Sequence, residues 1–147
     1  HGAGAGNAQP DTPSTVVYAN GLSEKGLLNA LKEGKVYIKT RGANATDIEF
    51  YASSGDSLWQ MGEKLPQHII NENKVTFHII RDVNTDEKIE IIADGKIMNI
   101  NNFEHKKLTE NKIETKFEIS LKNKRWIRFN LRDDKGITII SNPIFLN

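Results

Sequence analysis

The chain contains no cysteine, which excludes disulfides, thiolate nucleophiles and cysteine-based zinc sites. A cysteine-free chain is compatible with either side of a membrane, so the compartment stays open. No apolar run approaches the roughly 20 residues that a membrane-spanning helix needs. The 20 Lys and Arg residues nearly balance the 19 Asp and Glu residues, so no strong net field attracts nucleic acid or anionic lipid. We therefore expect a soluble protein, cytoplasmic or exported, with neither a nucleic-acid partner nor a membrane span.

Length and composition favour one globular domain with a shorter appended segment. The 147 residues are 37% hydrophobic and 27% charged, a balance typical of folded proteins and not of disordered ones. Residues 1–14 are rich in Gly, Ala and Pro and predict a loop. They lack the basic and apolar regions of a signal peptide, and His1 stands where an initiator Met is expected. We interpret the chain as part of a longer or processed protein.

A small α/β unit is predicted over residues 15–40. Residues 15–19 form a β-branched run that indicates a strand, and residues 36–38 indicate another. Between them the pattern predicts a helix over residues 24–33, with Ser23 as its N-cap and Gly34 as its left-handed C-terminal residue. The order strand, helix, strand sets this segment apart from the remainder of the chain.

From residue 47 onward the hydrophobic period is two. Strands are predicted around residues 47–52, 75–80, 89–93, 97–100, 113–121, 126–131 and 137–140. Asp94-Gly95 predicts a type I′ hairpin turn, and Pro143 predicts an edge position for the last strand. So many short strands without a long helix indicate a mainly β fold. We expect an antiparallel, immunoglobulin-like β-sandwich over residues 41–147.

The histidines offer little metal chemistry by sequence alone. His68 follows Pro66 in an expected loop, His78 lies on a predicted strand and His105 lies in a polar stretch, each without a second ligand at metal spacing. These three are interpreted as surface or packing residues. Only His1 has a suggestive setting, beside the GAGAG run, which itself lacks the ending and the preceding strand of a phosphate-binding loop.

Acidic and hydroxyl residues do not form a recognisable catalytic motif either. Asp133 and Asp134 precede a Gly and are interpreted as turn residues. Residues 82–87 carry several oxygen ligands but lack the Gly and spacing of a calcium loop. Asn44-Ala45-Thr46 fits a glycosylation acceptor, which has meaning only in a secretory host. No serine is connected to a histidine by a sequence pattern, so no catalytic residue is predicted.

Two tryptophans leave a binding function open. Trp59 and Trp126 together are able to form an aromatic platform for sugar, as β-sandwich binding modules use. Strict alternation places Trp126 opposite Ile127 and Phe129, pointing outward. The competing interpretation is that these side chains cover the margin of the core.

Four segments carry a resemblance to a known family: HGAGAG, PSTVVYANGLSEKGLLNALKEGKVYIKTRG, MGE and RWIRFNLRDDKGITIISNPIFLN. Together they resemble the C-terminal part of metal-dependent hydrolases of the PHP superfamily, especially the carbaryl-hydrolase-like branch. The resemblance covers nearly the full length and is specific at its two ends. In such enzymes the barrel ends with a metal-binding histidine motif, a strand and a helix, and a β-sandwich follows.

The resemblance implies that residues 1–40 are the C-terminal remnant of the barrel and that residues 41–147 are an accessory domain. His1 would match the final histidine ligand of a divalent metal (Zn, Mn or Fe), although the acid expected two positions earlier is absent. The other ligands would lie upstream, so the chain itself would hold no catalytic residue and no cofactor of its own. Its partner would be the upstream barrel of a phosphoesterase-like hydrolase. A free-standing carbohydrate- or protein-binding module is the alternative, and a metal-dependent enzyme within the chain itself is a third possibility.

Overall fold

The computed structural model describes residues 14–17, 36–40, 47–83 and 87–146. His1, the GAGAG run, the predicted helix over 24–33 and the Asn44 triplet lie outside these residues. The strand predicted over 15–19 is described only as far as Val17.

Twelve strands lie within the described residues. In chain order they are β1 (Ser14–Val17), β2 (Val36–Lys39), β3 (Glu49–Ser54), β4 (Ser57–Gln60), β5 (Thr76–Asp82), β6 (Lys88–Ala93), β7 (Lys96–Met98), β8 (Glu104–Lys107), β9 (Lys112–Phe117), β10 (Trp126–Asp133), β11 (Gly136–Ser141) and β12 (Ile144–Phe145). One short helix, α1 (Gln67–Glu72), precedes β5. Asn73 ends it in the left-handed conformation with φ 53°, and its N–H is bonded to the carbonyls of Ile69 and Ile70.

The strands form two sheets. A seven-stranded sheet has the order β1-β2-β11-β10-β6-β7, with β12 also paired to β10, and a five-stranded sheet has the order β4-β3-β5-β9-β8. All of the strand pairs within both sheets are antiparallel. The predicted type I′ turn is confirmed between β6 and β7, because Asp94 and Gly95 have φ values of 51° and 83°.

One hydrophobic core joins the inner faces of the two sheets. In the five-stranded sheet, Phe77 stacks on Phe117 with ring centroids 5.3 Å apart. Phe50 of that sheet meets Phe129 of the seven-stranded sheet edge to face at 5.1 Å. These contacts follow from the predicted alternation, since every second residue of a strand points to the same side. The prediction of a mainly β fold with antiparallel sheets is confirmed.

The expected edge position of the last strand is wrong. Strand β11 lies between β2 and β10, and Pro143 occupies the break between β11 and β12. Across this break the pairing with β10 slips by one residue, from Asn130 opposite Ile140 to Ile127 opposite Ile144. A proline has no N–H to donate to a ladder, so a slip in register accommodates it inside a sheet.

Strand β8 was not predicted from sequence. Its four residues, Glu104–Lys107, are all exposed and polar, so they carry no alternation. The strand pairs only with β9, at the edge of the five-stranded sheet. Lysines on an edge strand discourage pairing with other molecules, which explains how a charged segment is tolerated there.

Candidate functional site

Four side chains on the outer face of the five-stranded sheet form a connected polar cluster. Tyr51 and Ser53 are contributed by β3, His78 by β5 and Glu114 by β9. Their chain neighbours point inward, because alternate residues of a strand face opposite sides. We refer to Tyr51, Ser53, His78 and Glu114 as the outer-face cluster.

The imidazole of His78 bridges a hydroxyl and a carboxylate. Its Nε2 atom lies 2.7 Å from Oγ of Ser53, and its Nδ1 atom lies 3.1 Å from Oε2 of Glu114. Both distances fall within the range of good hydrogen bonds. The order hydroxyl, imidazole, carboxylate is the arrangement that activates a serine nucleophile in many hydrolases.

Tyr51 holds the imidazole in place from one side. Its ring stacks on that of His78 with centroids 4.3 Å apart and planes 8° from parallel. Its hydroxyl donates to the same Oε2 atom of Glu114 at 3.2 Å. Burial first, and then the negative charge of Glu114, raise the pKa of Tyr51, so the phenol stays protonated and remains a donor.

The hydrogen-bond directions follow from the chemistry of the carboxylate. An ionised Glu114 only accepts, so Nδ1 of His78 donates to it. In a neutral imidazole the other nitrogen then lacks a proton and accepts from the hydroxyl of Ser53. The side chains of His78 and Glu114 are only 13% and 12% exposed, so these bonds form in a partly desolvated setting where they are stronger than in water.

Three neighbours on the same face complete the surroundings of Ser53 and His78. Strand register places Thr76 opposite Ser53 on one side and Leu58 opposite it on the other. Lys116 lies opposite His78. Directly paired residues of antiparallel strands share a face. Leu58 is 61% exposed, which leaves an apolar surface beside the serine.

Sequence reasoning missed this cluster. It treated His78 as an isolated packing residue, because Ser53 lies 25 positions before it and Glu114 lies 36 positions after it. The period of two over the predicted strand 113–121 does place Glu114 on the face opposite Phe117. The signal that was lacking is the cross-strand register, which no local pattern in a single sequence provides.

Of the other three histidines, the structure describes His68 and His105. His1 lies outside the described residues. His68 is exposed on helix α1, where a loop was expected. His105 on β8 has its Nδ1 atom 2.8 Å from Oγ1 of Thr115. Among the described residues, neither His68 nor His105 is hydrogen-bonded to a member of the outer-face cluster.

The acidic residues considered as catalytic or calcium-binding candidates form a turn contact and an ion pair where they lie within the described residues. Asp133 accepts from the backbone N–H of Lys135 at 2.8 Å, as a turn residue does. In the weak calcium-loop candidate, Asp82 lies 2.7 Å from Nζ of Lys112, while residues 84–86 are outside the description. Across residues 14–17, 36–40, 47–83 and 87–146, no group of three or more His, Asp or Glu side chains is placed to hold a metal ion.

The two tryptophans do not share a surface. Trp59 is directly paired with Ala52 and packs against the hydrophobic core. Trp126 lies on β10 beside buried Ile127, and its ring has the guanidinium carbon of Arg128 5.7 Å from its centroid. An aromatic platform built from both rings is therefore excluded, and the core-margin interpretation holds for Trp59.

An open groove of about 660 Å³ lies between helix α1 and residues 120–125. Lys122, Lys124 and Arg125 line it, with buried Leu121 and Leu146 at its base. Its lining carries no carboxylate, so the local charge favours an anion. Exposed cations bind anions weakly and in a salt-dependent way.

Comparison of the chain with protein-family models, with curated proteins and with solved structures finds no match in any of the three. Within the described part of the chain, no helix has the length and hydropathy needed to cross a bilayer.

Proposed function

We propose that the chain is the C-terminal accessory region of a PHP-type metal-dependent hydrolase with phosphoesterase-like chemistry. Residues 1–40 would close the metallohydrolase barrel, and residues 41–147 would form an immunoglobulin-like sandwich that packs on the barrel and shapes access to its site. The sequence resemblance at both ends of the chain supports this proposal.

The sequence resemblance carries the proposal, whereas β1 and β2 form an antiparallel pair within the sandwich sheet and the strands of an α/β barrel are parallel. Strand β2 belongs to the segment that resembles the end of a barrel, and it pairs with β11 from Lys39 opposite Ile139 to Tyr37 opposite Ser141. Tyr37 is 2% exposed and belongs to the common core. A segment that shares both a sheet and a core with the sandwich holds the two parts in a defined orientation.

A polar contact reinforces this junction. The side chain of Lys39 is 6% exposed, and its Nζ atom lies 2.6 Å from Oδ1 of Asp47, which begins the sandwich region. The hydroxyl of Tyr37 donates to the same oxygen at 3.2 Å. The side chain of Asp47 is 69% exposed, so water screens this ion pair from the side of the carboxylate.

The metal chemistry of the proposed parent enzyme belongs mainly to residues beyond this chain. A catalytic zinc site needs about three protein ligands, and His1 supplies one at most. The described residues add no set of three. The accessory region acts through its position beside the barrel.

Metal analysis of the full gene product tests the proposal. We expect the intact protein to bind a divalent metal and to hydrolyse a generic phosphoester, and His1→Ala to lose most of both. His68→Ala, which alters an exposed histidine of helix α1, is the matched control and keeps both. A full-length product without a barrel-sized upstream segment rich in His and Asp contradicts the proposal, as does full metal content in His1→Ala.

A free-standing carbohydrate-binding module is the second candidate, and one observation favours it. Trp126 lies on the outward side of β10 with Arg128 against its ring, an arrangement in which an aromatic face and a donor are both near solvent. Calorimetric titration with a series of soluble sugars tests it. Binding that is lost in Trp126→Ala and kept in Trp59→Phe supports the module, and no binding in the unaltered chain removes it.

A further inference from the structure

We propose that the outer-face cluster is a second, metal-independent reactive site, in which Ser53 is a nucleophile for carboxylic esters with apolar acyl groups. In this site His78 is the general base and Glu114 positions its imidazole. The site departs from the expectation that the chain carries no catalytic residue. It stands independently of the proposed barrel, since all four residues belong to the sandwich.

The geometry meets the structural criteria for an activated nucleophile. A nucleophile and its base are recognised by a heavy-atom distance of about 2.6–3.2 Å, with the base oriented by a third group. Ser53 Oγ lies 2.7 Å from Nε2 of His78, and Glu114 lies 3.1 Å from Nδ1. Tyr51 occupies one face of the imidazole and so restricts its rotation. Three strands of one sheet fix these positions, which favours a preformed site.

Exposure distinguishes the serine from a buried structural hydroxyl. Ser53 is half-buried at the end of β3, next to the hairpin turn at Gly55. The side chains of His78 and Glu114 are partly exposed as well, at 13% and 12%. The nucleophile, its base and the positioning carboxylate are therefore all partly shielded from water, and none of the three is fully buried.

The reaction balances with the residues present. Ser53 Oγ attacks the ester carbonyl carbon and forms a C–O bond while its proton passes to Nε2 of His78. The bond from that carbon to the leaving oxygen breaks, and the imidazolium returns the proton to the departing alcohol. Water then attacks the acyl-serine with His78 again as base, which releases the acid and restores Ser53.

The neighbours of Ser53 indicate the class of ester. Leu58, opposite Ser53 on β4 and 61% exposed, provides an apolar contact for an acyl chain. Thr76, opposite Ser53 on β5, and Lys116, opposite His78 on β9, carry hydrogen-bond donors on the same face and are the candidates for stabilising the oxyanion. A flat sheet encloses little of a ligand, so the site favours small activated esters and slow turnover.

A fluorophosphonate probe tests the nucleophile directly, because it reacts with activated hydroxyls and leaves ordinary serines unlabelled. Serine oxygen bonds to phosphorus, fluoride departs and the proton passes to His78. We expect one adduct per chain, mapped to Ser53 by peptide mass spectrometry. Ser57→Ala, which alters an exposed serine of the same hairpin, is the matched control and keeps the labelling, whereas Ser53→Ala abolishes it.

The role of the imidazole is tested by rate. His78→Gln should slow labelling of Ser53 by about 10²-fold or more, which is the usual contribution of a general base. Glu114→Gln should slow it less and should also change the pH dependence of the labelling rate, a change that a purely structural role does not produce. Thermal melting of each variant identifies any that fail to fold.

A measurement on the unaltered chain needs no variant. The rate of labelling at Ser53 is compared with that at Ser57 in the same molecule, and we expect a ratio above about 10². We also expect the unaltered chain to hydrolyse p-nitrophenyl butyrate, and the Leu58→Ser variant to do so with a higher KM. Equal rates at the two serines, labelling confined to other residues, or wild-type labelling of Ser53 in a folded His78→Gln variant would each overturn the proposal.

Discussion

The two faces of the five-stranded sheet are built from adjacent residues and have opposite chemistry. Phe50, Phe77 and Phe117 point inward and are at most 2% exposed. Tyr51 and His78, each one position further along, point outward and stack on each other. The inner face is stabilised by removing apolar area from water. The outer face is organised by hydrogen bonds that fix side-chain positions and contribute less free energy.

The sheet separates the stabilising packing of its inner face from the polar outer-face cluster. A β-strand gives each face its own set of residues, so a rigid core can hold a polar cluster in place without sharing side chains with it. Substitutions on the two faces should therefore differ in size and in kind.

The largest effect is expected on the inner face. Phe77→Ala removes a fully buried ring that stacks on Phe117 and should lower the free energy of unfolding by about 3–5 kcal/mol. Urea denaturation followed by circular dichroism measures it. Leu58→Ala, on the exposed side of the same sheet, is the control and should stay within about 0.5 kcal/mol of the unaltered chain. Similar losses in both variants would contradict the division between the faces.

The next largest loss of stability is expected on removal of Glu114, the acceptor shared by Tyr51 and His78. Glu114→Ala leaves the hydroxyl of Tyr51 and Nδ1 of His78 without their common partner, which should cost about 1–3 kcal/mol. Glu118→Ala, at an exposed position four residues after Glu114, controls for loss of a glutamate and should be nearly neutral. Equal denaturation midpoints for the two variants would show that the cluster contributes nothing to stability.

A smaller effect is expected from Tyr51→Phe, which keeps the ring stacked on His78 and removes only the hydrogen bond to Glu114. The expected loss is about 1 kcal/mol, as for one hydrogen bond. Tyr51→Leu removes the stacking as well and should cost about 0.5–1.5 kcal/mol more. A double-mutant cycle with Glu114→Ala isolates the pair, and a coupling of zero would mean that the hydroxyl bond is absent in solution.

The smallest effect on stability is expected at Asp47, whose carboxylate lies mainly in solvent. Asp47 is 69% exposed, and its hydrogen bond with Lys39 holds the pKa of its carboxyl below the ordinary value. The folded carboxyl therefore releases its proton more readily than the unfolded one. Its contribution, under about 1 kcal/mol, is present above the ordinary carboxyl pKa of about 4 and is lost as the pH falls through the folded value.

Thermal melts at decreasing pH measure this contribution. Asp47→Asn should be less stable than the unaltered chain near neutral pH, and the difference should shrink in acid. Asp56→Asn, at an exposed turn, is the control and should follow the unaltered chain. A difference that grows as the pH falls would have the wrong sign for a stabilising ion pair.

Much of the sheet structure was predictable from sequence. Alternation located the inward residues Phe77, Thr115, Phe117, Ile127 and Phe129, which are buried in the structure. Asp94-Gly95 specified its own turn, because few residues adopt positive φ at both positions of a hairpin. The all-polar strand β8 and the proline-containing break after β11 escaped prediction, since each depends on a partner strand rather than on its own residues.

The sequence by itself determined which residues face the core and which face water, because burial follows from the period of the strand. Only the tertiary structure decided that Ser53, His78 and Glu114 meet, since their three strands come together by pairings between distant parts of the chain. It also placed Trp59 against the core and Trp126 on the other sheet. A shift of one residue in register turns every side chain of a strand to the opposite face, so a site of this kind exists only once the sheet has assembled.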